Sequence, residues 1–338
     1  MTTKAILVTG GAGFIGSHYV RTLLGPHGVR DVTITVLDNL TYAGTLTNLT
    51  EVSGSDRFRF VRGDICDASL VDELMAAHDQ VVHFAAESHV DRSILGAADF
   101  VRTNVTGTQT LLDAALRHGV ETFVHISTDE VYGSIDMGSW PETAPVSPNS
   151  PYSAAKASSD LIALAYHRTH GLDVRVTRCS NNYGPHQFPE KVVPLFVTSL
   201  LDGREVPLYG DGTNVRDWLH VDDHVRAIEL VRTGGRSGEV YNIGGGTELS
   251  NKELTQLLLD ACGAGWDRVR YVTDRKGHDR RYSVDCTKTR RELGYRPVRE
   301  FGDALAETVA WYRGNRAWWE PLSRRLVAAA PERPARHA

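Results

Sequence analysis

Between residue 5 and about residue 180, short apolar, β-branched runs alternate with longer stretches whose apolar positions recur at helical spacing. That rhythm predicts repeated strand–helix–strand units, and hence a parallel sheet covered on both faces. The strands are read at Ala5–Thr9, Val32–Leu37, Arg57–Val61, Gln80–Phe84, Thr122–Ser127 and Asp173–Arg178, and the intervening helices at Phe14–Leu24, Ser69–Ala77, Phe100–Arg117 and Tyr152–Thr169. The expected fold class is α/β, a Rossmann-type doubly wound sheet. After Tyr183-Gly184-Pro185 loops lengthen and turn residues multiply, with a helix near Val192–Leu201 and a strand-like run through Val206-Pro207-Leu208-Tyr209. Residues 219–232 again read as helix and 240–244 as strand, a segment able to rejoin the main sheet. The expected division is therefore 1–183 as a dinucleotide-binding domain with a return at 219–247, and 184–218 with 248–323 as a smaller α/β substrate domain. Residues 324–338, rich in Arg, Ala and Pro, read as a frayed, disordered tail. There is no internal repeat.

Composition narrows the class without deciding the activity. With 41% hydrophobic and 23% charged residues over 338 positions, the chain reads as a soluble globular protein. A net charge of −5 provides no global basic field for nucleic acid. Cys66, Cys179, Cys262 and Cys286 are scattered without metal-like or disulfide-like spacing, no apolar run reaches membrane-spanning length, and no export signal is read. A cytoplasmic location without membrane attachment is expected.

The first strand runs into Gly10-Gly11-Ala12-Gly13-Phe14-Ile15-Gly16 and then a helix. Glycines at 10, 13 and 16 allow a tight turn, close approach of a pyrophosphate and close helix packing, while the helix N-terminus faces the anion. Asp38 ends the second strand, where a carboxylate accepts hydrogen bonds from an adenosine ribose and repels a 2′-phosphate, which favours NAD over NADP. Gly63-Asp64-Ile65 and Phe84-Ala85-Ala86 end the third and fourth strands at the same ligand-binding edge. Asp64 is read either as an adenine contact or as a turn cap.

The chemistry is concentrated in Ser127-Thr128-Asp129-Glu130-Val131-Tyr132 and in Tyr152-Ser153-Ala154-Ala155-Lys156. Tyr152 and Lys156 fall on one helix face, so the ammonium can favour ionisation of the phenol and make it a base for an alcohol. Asp129 and Glu130 add an acid and a second base, which an alcohol oxidation alone does not need; the extra pair points to elimination of water.

Together with His83–Asp91, Cys179–Pro185, Arg216-Asp217-Trp218 and Gly277–Arg281, these motifs resemble the nucleotide-sugar enzymes of the extended short-chain dehydrogenase/reductase family, the NAD-dependent epimerase/dehydratase group. The resemblance spans nearly the whole chain. It implies tightly bound NAD that is reduced and reoxidised in each turnover, with dTDP-glucose as substrate, dTDP-4-keto-6-deoxy-glucose as product, and a homodimer joined through the helices near 100–117 and 152–169. It assigns Tyr152 and Lys156 to C4 oxidation, Glu130 to the C5 proton, Asp129 to the departing C6 hydroxyl and Thr128 to the C4 oxygen. To the cofactor set it adds Asn39, Leu40, Thr41, Ser88, Thr103 and Asn182. For the nucleotide sugar it adds Ser88, Asn181, Lys191 and Arg216, then Asn251, Pro207 and a stacking Tyr209, with Asp274 and His278 in a loop around the nucleotide. Between Gly133 and Pro145 the chain is shorter than in some relatives, so contacts of that loop differ.

His220 and His224 invite a metal reading, but H-E-x-x-H is absent and Asp222 or Asp223 reads better as a helix N-cap. No metal is expected. Gly244-Gly245-Gly246 reads as a turn and not as a second nucleotide fingerprint. The competing functions are a nucleotide-sugar 4-epimerase, which has no elimination to catalyse, a decarboxylase acting on a uronic acid, and a catalytically silent redox sensor. Asp129 and Glu130 argue against the first, and an intact Thr128, Tyr152 and Lys156 set against the last.

Overall fold

The computed structural model describes residues 3–329. Its strands are β1 (Lys4–Thr9), β2 (Val32–Asp38), β3 (Phe58–Arg62), β4 (Gln80–His83), β5 (Thr122–Thr128) and β6 (Val174–Cys179), followed by β7 (Asn181–Tyr183), β8 (Val206–Tyr209), β9 (Val215–His220), β10 (Val240–Ile243), β11 (Glu248–Ser250) and β12 (Val269–Val272). Seven of them form one sheet in the order β10-β6-β5-β4-β1-β2-β3, every pair parallel. This is the doubly wound order, with the reversal between β1 and β4 opening a crevice at the carboxyl edge. The architecture is α/β, as the sequence rhythm predicts.

The central strands are largely apolar because both faces are covered, with buried polar residues such as Thr35, His83, His125 and Arg178 among them. On one face Ile6, Val8, Ile34 and Val36 pack with the helices Phe14–Leu24 and Val221–Gly234. On the other, Leu7, Val81, Phe123 and Val174 pack with the helices Ala68–Met75, Thr108–His118 and Pro151–His170. A third apolar cluster gathers Phe196, Trp218, Leu258, Tyr312 and Trp319 beside the small sheet β11-β9-β7 and the pair β12-β8.

Four local expectations need correction. The helix expected over 100–117 is interrupted: Val101–Gly107 is a wide π turn before the α-helix Thr108–His118. Asn104 bonds both the N–H and the carbonyl of Glu87 at 2.9 Å, while Thr108 Oγ1 donates to the Asn104 carbonyl at 2.6 Å. These polar ties hold the extra residue in the turn. Leu219 and His220 end β9, and the helix starts only at Val221. Its N-cap is His220, whose Nδ1 accepts the Asp222 N–H at 3.3 Å, so neither Asp222 nor Asp223 is the cap. Residues 324–329 of the expected tail belong to the helix Arg316–Ala329; 330–338 lie outside the described residues. That helix is anchored by Trp319 Nε1 on the Tyr312 carbonyl at 2.7 Å and by Trp318 Nε1 on Asn48 Oδ1 at 3.0 Å. The short loop after Gly133 is tied down through Trp140, whose N–H donates to the Ser283 carbonyl and whose carbonyl accepts the Asp285 N–H, both at 2.9 Å.

Beneath the sheet edge Arg178 Nε meets Asp160 Oδ2 at 2.9 Å, with the two side chains 4% and 0% exposed. Burial pushes the Asp160 carboxyl up, but Arg178 and then His125 outweigh it and hold it down to about 2, from an ordinary 3.8. Asp160→Ala, which strands the Arg178 charge, should cost about 3–5 kcal/mol in urea unfolding, more than the paired Asp160→Leu/Arg178→Met exchange. In the wild type this contribution is complete above the ordinary carboxylate range and is lost as pH falls toward about 2. The double variant should lack that acid limb.

Candidate active site

A cavity of about 500 Å³ opens along the carboxyl edge of the large sheet. Its floor is set by backbone contact. Gly10 has φ +70°, and a Cβ there would lie 2.5 Å from the Ala85 nitrogen; at Gly16 one would lie 2.4 Å from the Gly10 carbonyl oxygen. Only glycine allows these approaches. Gly13 caps the helix Phe14–Leu24 without a side-chain hydrogen bond, which leaves N–H groups and the positive helix end for an anion.

The cavity wall carries Gly10, Gly13, Phe14, Ile15, Gly16, Asp38, Asn39, Thr41, Asp64, Ile65, Phe84, Ala85, Ala86, Ser88 and Thr103 from the expected cofactor set. Leu40 is off the wall: at φ +53° it turns the chain and packs on the core. Asp38 Oδ2 accepts the Ala12 N–H at 2.9 Å and Oδ1 the Leu40 N–H at 2.8 Å, so the carboxylate also clamps the glycine turn to the loop after β2. Asp64 does cap its turn, through the Cys66 N–H at 2.9 Å, and its other oxygen pairs with Arg102 at 2.8 Å. A dinucleotide fits the glycine cradle, the free helix terminus and the carboxylate at the end of β2.

At the other end of the cavity β5 delivers Thr128, and the 3₁₀ turn Asp129–Tyr132 follows it directly. The helix Pro151–His170 starts on a reciprocal cap, in which Ser150 Oγ accepts the Ser153 N–H at 3.1 Å and Ser153 Oγ accepts the Ser150 N–H at 3.0 Å. This fixes Tyr152 in the first turn and Lys156 one turn later. Lys156 Nζ donates to the Ile126 carbonyl at 2.7 Å, and burial lowers its pKa to about 8 against the pull of Asp160. The sequence reading expects Lys156 to favour the Tyr152 phenolate. Here burial raises the phenol well above its ordinary value, the charges of Glu130, Cys179 and Asp129 add to that, and a hydrogen bond to Thr128 opposes it.

The two carboxylates occupy different environments. Burial, Glu130 and Asp217 raise the Asp129 pKa well above the usual carboxylate range. Burial also raises Glu130, but Arg275, Lys191 and Arg216 work against it. Asp129 is thus held as the acid and Glu130 as the more readily ionised partner. Asp129 Oδ2 and Asn181 Oδ1 are buried without protein partners, and both residues line the cavity.

Asn182 and Lys191 also reach the wall. The Asn182 amide is oriented by its Nδ2 bond to the Ser180 carbonyl at 3.0 Å and by His224 Nδ1 at 2.8 Å from Oδ1; Lys191 Nζ donates to the Ser88 carbonyl at 2.7 Å. His220 and His224 therefore have separate tasks, and the described residues contain no group of three or more His, Cys, Asp or Glu that could hold a metal ion.

Pro207, Tyr209, Arg216, Asn251, Asp274 and His278 do not line this cavity. Tyr209, Asp274 and His278 form a separate group: Asp274 Oδ1 is 2.6 Å from His278 Nδ1, and the Tyr209 and His278 ring centres are 6.4 Å apart. Arg216 spends its guanidinium on the Val215 and Asp279 carbonyls at 2.7 and 2.9 Å, stacked 4.2 Å over Tyr282, and acts on the carboxylates by its charge. Asn251 begins the helix Asn251–Cys262, and Pro207 sits within β8.

Tyr42, Glu87, Phe188 and Glu190 also line the cavity, and the charge of Arg275 acts on Glu130, although no local motif marks them as site residues. Tyr42 sits under Arg92 at 3.9 Å, and Arg92 Nε bonds Glu190 at 2.9 Å. The position of Tyr42 just past Asp38 was the available signal; the others arrive on loops far away in sequence.

A glycine-turned sheet edge that ends in a Tyr/Lys helix pair and two carboxylates defines a dinucleotide-dependent enzyme of short-chain dehydrogenase/reductase type. A family model described as GDP-mannose 4,6 dehydratase matches residues 7–308. The dTDP-glucose 4,6-dehydratase of Streptomyces antibioticus is 70% identical over 332 residues, covering 97% of this chain and 98% of that protein. The crystal structure of the dTDP-glucose 4,6-dehydratase of Streptomyces venezuelae, solved with NAD bound, has 64% identity and a TM-score of 0.93, covering 94% of this chain and 99% of that one. A UDP-glucose 4-epimerase structure from Thermotoga maritima is similar at 35% identity and TM-score 0.85, over 92% and 99% of the two chains. The chain belongs to the dTDP-glucose 4,6-dehydratase family.

The buried ammonium gives a pH test. Because folding lowers the Lys156 pKa from 10.5 to about 8, the unfolded chain holds the extra proton between those values, and stability should rise with pH from about 8 upward. Lys156→Met should remove that rise in denaturation midpoints measured across the window.

Proposed function

We propose that this chain dehydrates dTDP-glucose to dTDP-4-keto-6-deoxy-glucose with tightly bound NAD. The observation that carries the reading is the pair Asp129 and Glu130 lining one cavity with Tyr152, the first buried and the second half-buried, and biased apart by their neighbouring charges. The names of the relatives support the nucleotide sugar, and the glycine cradle supports the dinucleotide.

When bound, NAD supplies the hydride acceptor for C4 and later the donor for C6. Tyr152, once ionised, takes the proton of the C4 hydroxyl as that carbon is oxidised, an ionisation that burial opposes and the Thr128 hydroxyl favours, with Thr128 holding the oxygen and Lys156 placed to bind the nicotinamide ribose. The 4-ketone acidifies the C5 proton. Glu130 removes it while Asp129 protonates the departing C6 hydroxyl, so that water leaves, and Glu130 then returns a proton to C5. No net oxidation results. An epimerase would need Tyr152 and Lys156 but would leave Asp129, whose protonated form burial and neighbouring acids favour, without work.

Asn181, Lys191 and Arg216, with the Tyr209, Asp274 and His278 group, are assigned to the sugar nucleotide, alongside Ser88, Pro207 and Asn251. Asn182 is assigned to the cofactor side. Residues 1–183 with 219–247 act as the cofactor domain and the rest to 323 as the substrate domain. A cytoplasmic homodimer completes the reading. Half-exposed Val101 and Leu161 on the paired helices support the dimer, and the free cysteines and the lack of any described helix long and apolar enough to cross a membrane are compatible with that location.

Glu130→Gln should still oxidise C4 but stall before elimination. Product formation should fall about 10²- to 10⁴-fold, while the near-ultraviolet absorbance of reduced nicotinamide persists after dTDP-glucose is added. Undiminished release of the keto product by this variant would overturn the assignment.

A further inference from the structure

The proposed reaction uses its cofactor twice in each turnover, and this inference rests on that reading. The hydride leaves C4 at the start and returns to C6 at the end. Cofactor lost in the interval would strand a sugar oxidised at C4 and leave an empty site. A dehydrogenase that exchanges its cofactor every turnover has no such interval. The chain therefore needs a means of keeping the dinucleotide that an ordinary dehydrogenase does not.

The loop after β2 is fixed at both ends by its own backbone. The Leu40 N–H donates to Asp38 Oδ1 at 2.8 Å, and the Thr45 N–H donates to the Ala12 carbonyl at 3.1 Å. Between these anchors Tyr42 stands on the cavity wall and reaches across to the substrate half of the chain. Its ring meets buried Phe188 edge-on with centres 5.7 Å apart, and the Arg92 guanidinium lies over its face at 3.9 Å. Arg92 Nε in turn donates to Glu190 Oε1 at 2.9 Å. Tyr42, Phe188 and Glu190 all line the cavity, so the two halves meet at its wall, and Arg92, from the helix Val90–Leu95, joins them from behind. The approach to that helix is tied to the substrate half separately: Lys191 Nζ bonds the Ser88 carbonyl at 2.7 Å, and the Tyr209 hydroxyl donates to Asp91 Oδ2 at 3.3 Å. The guanidinium is thus the joint between a fixed side and the middle of the cofactor loop. Its flat face can rest on a ring while an edge N–H serves a carboxylate, which a compact ammonium does not match.

We propose that Arg92 is a positioning residue that clasps Tyr42 to Glu190 and keeps the cavity closed on the dinucleotide until its hydride has been returned. Asn39 and Thr41, both expected cofactor contacts, lie in the loop that the clasp holds. Parting the clasp frees the middle of that loop while Asp38 and Ala12 still hold its ends, so the cofactor can escape without the fold coming apart. Arg92 itself is off the cavity wall and takes no part in the chemistry.

Arg92→Met keeps the reach of the side chain and removes the flat cation; Tyr42→Leu removes the ring face, and Tyr42→Phe keeps it. After loading with NAD and desalting, Arg92→Met and Tyr42→Leu should each release NAD about tenfold faster than the wild type, as loss of a cation–π contact and its charge-assisted bond implies. Tyr42→Phe should release it at the wild-type rate. The double variant Arg92→Met/Tyr42→Leu should be no faster than either single one, because both remove the same contact. With excess dTDP-glucose, loaded Arg92→Met should form its first keto product at the wild-type rate, then run down within fewer turnovers unless NAD is added to the buffer. Melting temperatures confirm that each variant is folded. Wild-type release from Arg92→Met, equal acceleration in Tyr42→Phe and Tyr42→Leu, effects that multiply in the double variant, or run-down that added NAD does not cure would each overturn the clasp and leave the dehydratase reading in place. A wild-type enzyme that retains no NAD or forms no keto product would instead remove the reading beneath it.

Discussion

A sheet whose strands all run the same way must end all of them at one edge, and the organisation of this molecule follows from that constraint. Because both faces of the large sheet are sealed by apolar helices, its exits from β1, β2, β3, β4 and β5 are the places where polar backbone and side chains can gather. Gly10, Asp38, Gly63, Phe84 and Thr128 are brought to one cavity from positions spread over more than a third of the chain. The fit at the floor is tight enough that a methyl group on Gly10 or Gly16 would occupy backbone atoms.

Within that cavity desolvation acts on every ionisable group, and what distinguishes them is the company each keeps. The same burial that penalises both carboxylates leaves Asp129 facing other acids and Glu130 facing three cations. Two adjacent residues acquire opposite duties from charges carried by loops and strands far away in sequence. Lys156 is affected differently: burial weakens its hold on a proton, and a backbone carbonyl fixes its direction.

Features with local causes were legible in the sequence. The glycine turn, the acid ending β2 and the Tyr152/Lys156 spacing each state their geometry within a few residues. Features made by tertiary partners were not. Nothing around Asn104 announces that its amide will grip Glu87 and widen a helical turn, and nothing around Asp222 shows that the preceding histidine will cap first. Arg216 could be singled out as a charge near the site, but the carbonyls that hold it come from Val215 and Asp279, sixty-odd residues apart. Leu40 sits among cavity residues in sequence, yet its left-handed backbone carries it past the wall.

The Trp318 anchor ties the glycine turn to a part of the chain remote in sequence. Its indole holds Asn48, whose amide in turn donates to the Ala12 carbonyl in the glycine turn at 3.0 Å. The residue that steadies the glycine turn is thus itself held from a helix 270 residues further along the chain. Support for the nucleotide cradle therefore extends beyond the βαβ unit that forms it, to a helix packed in the third apolar cluster.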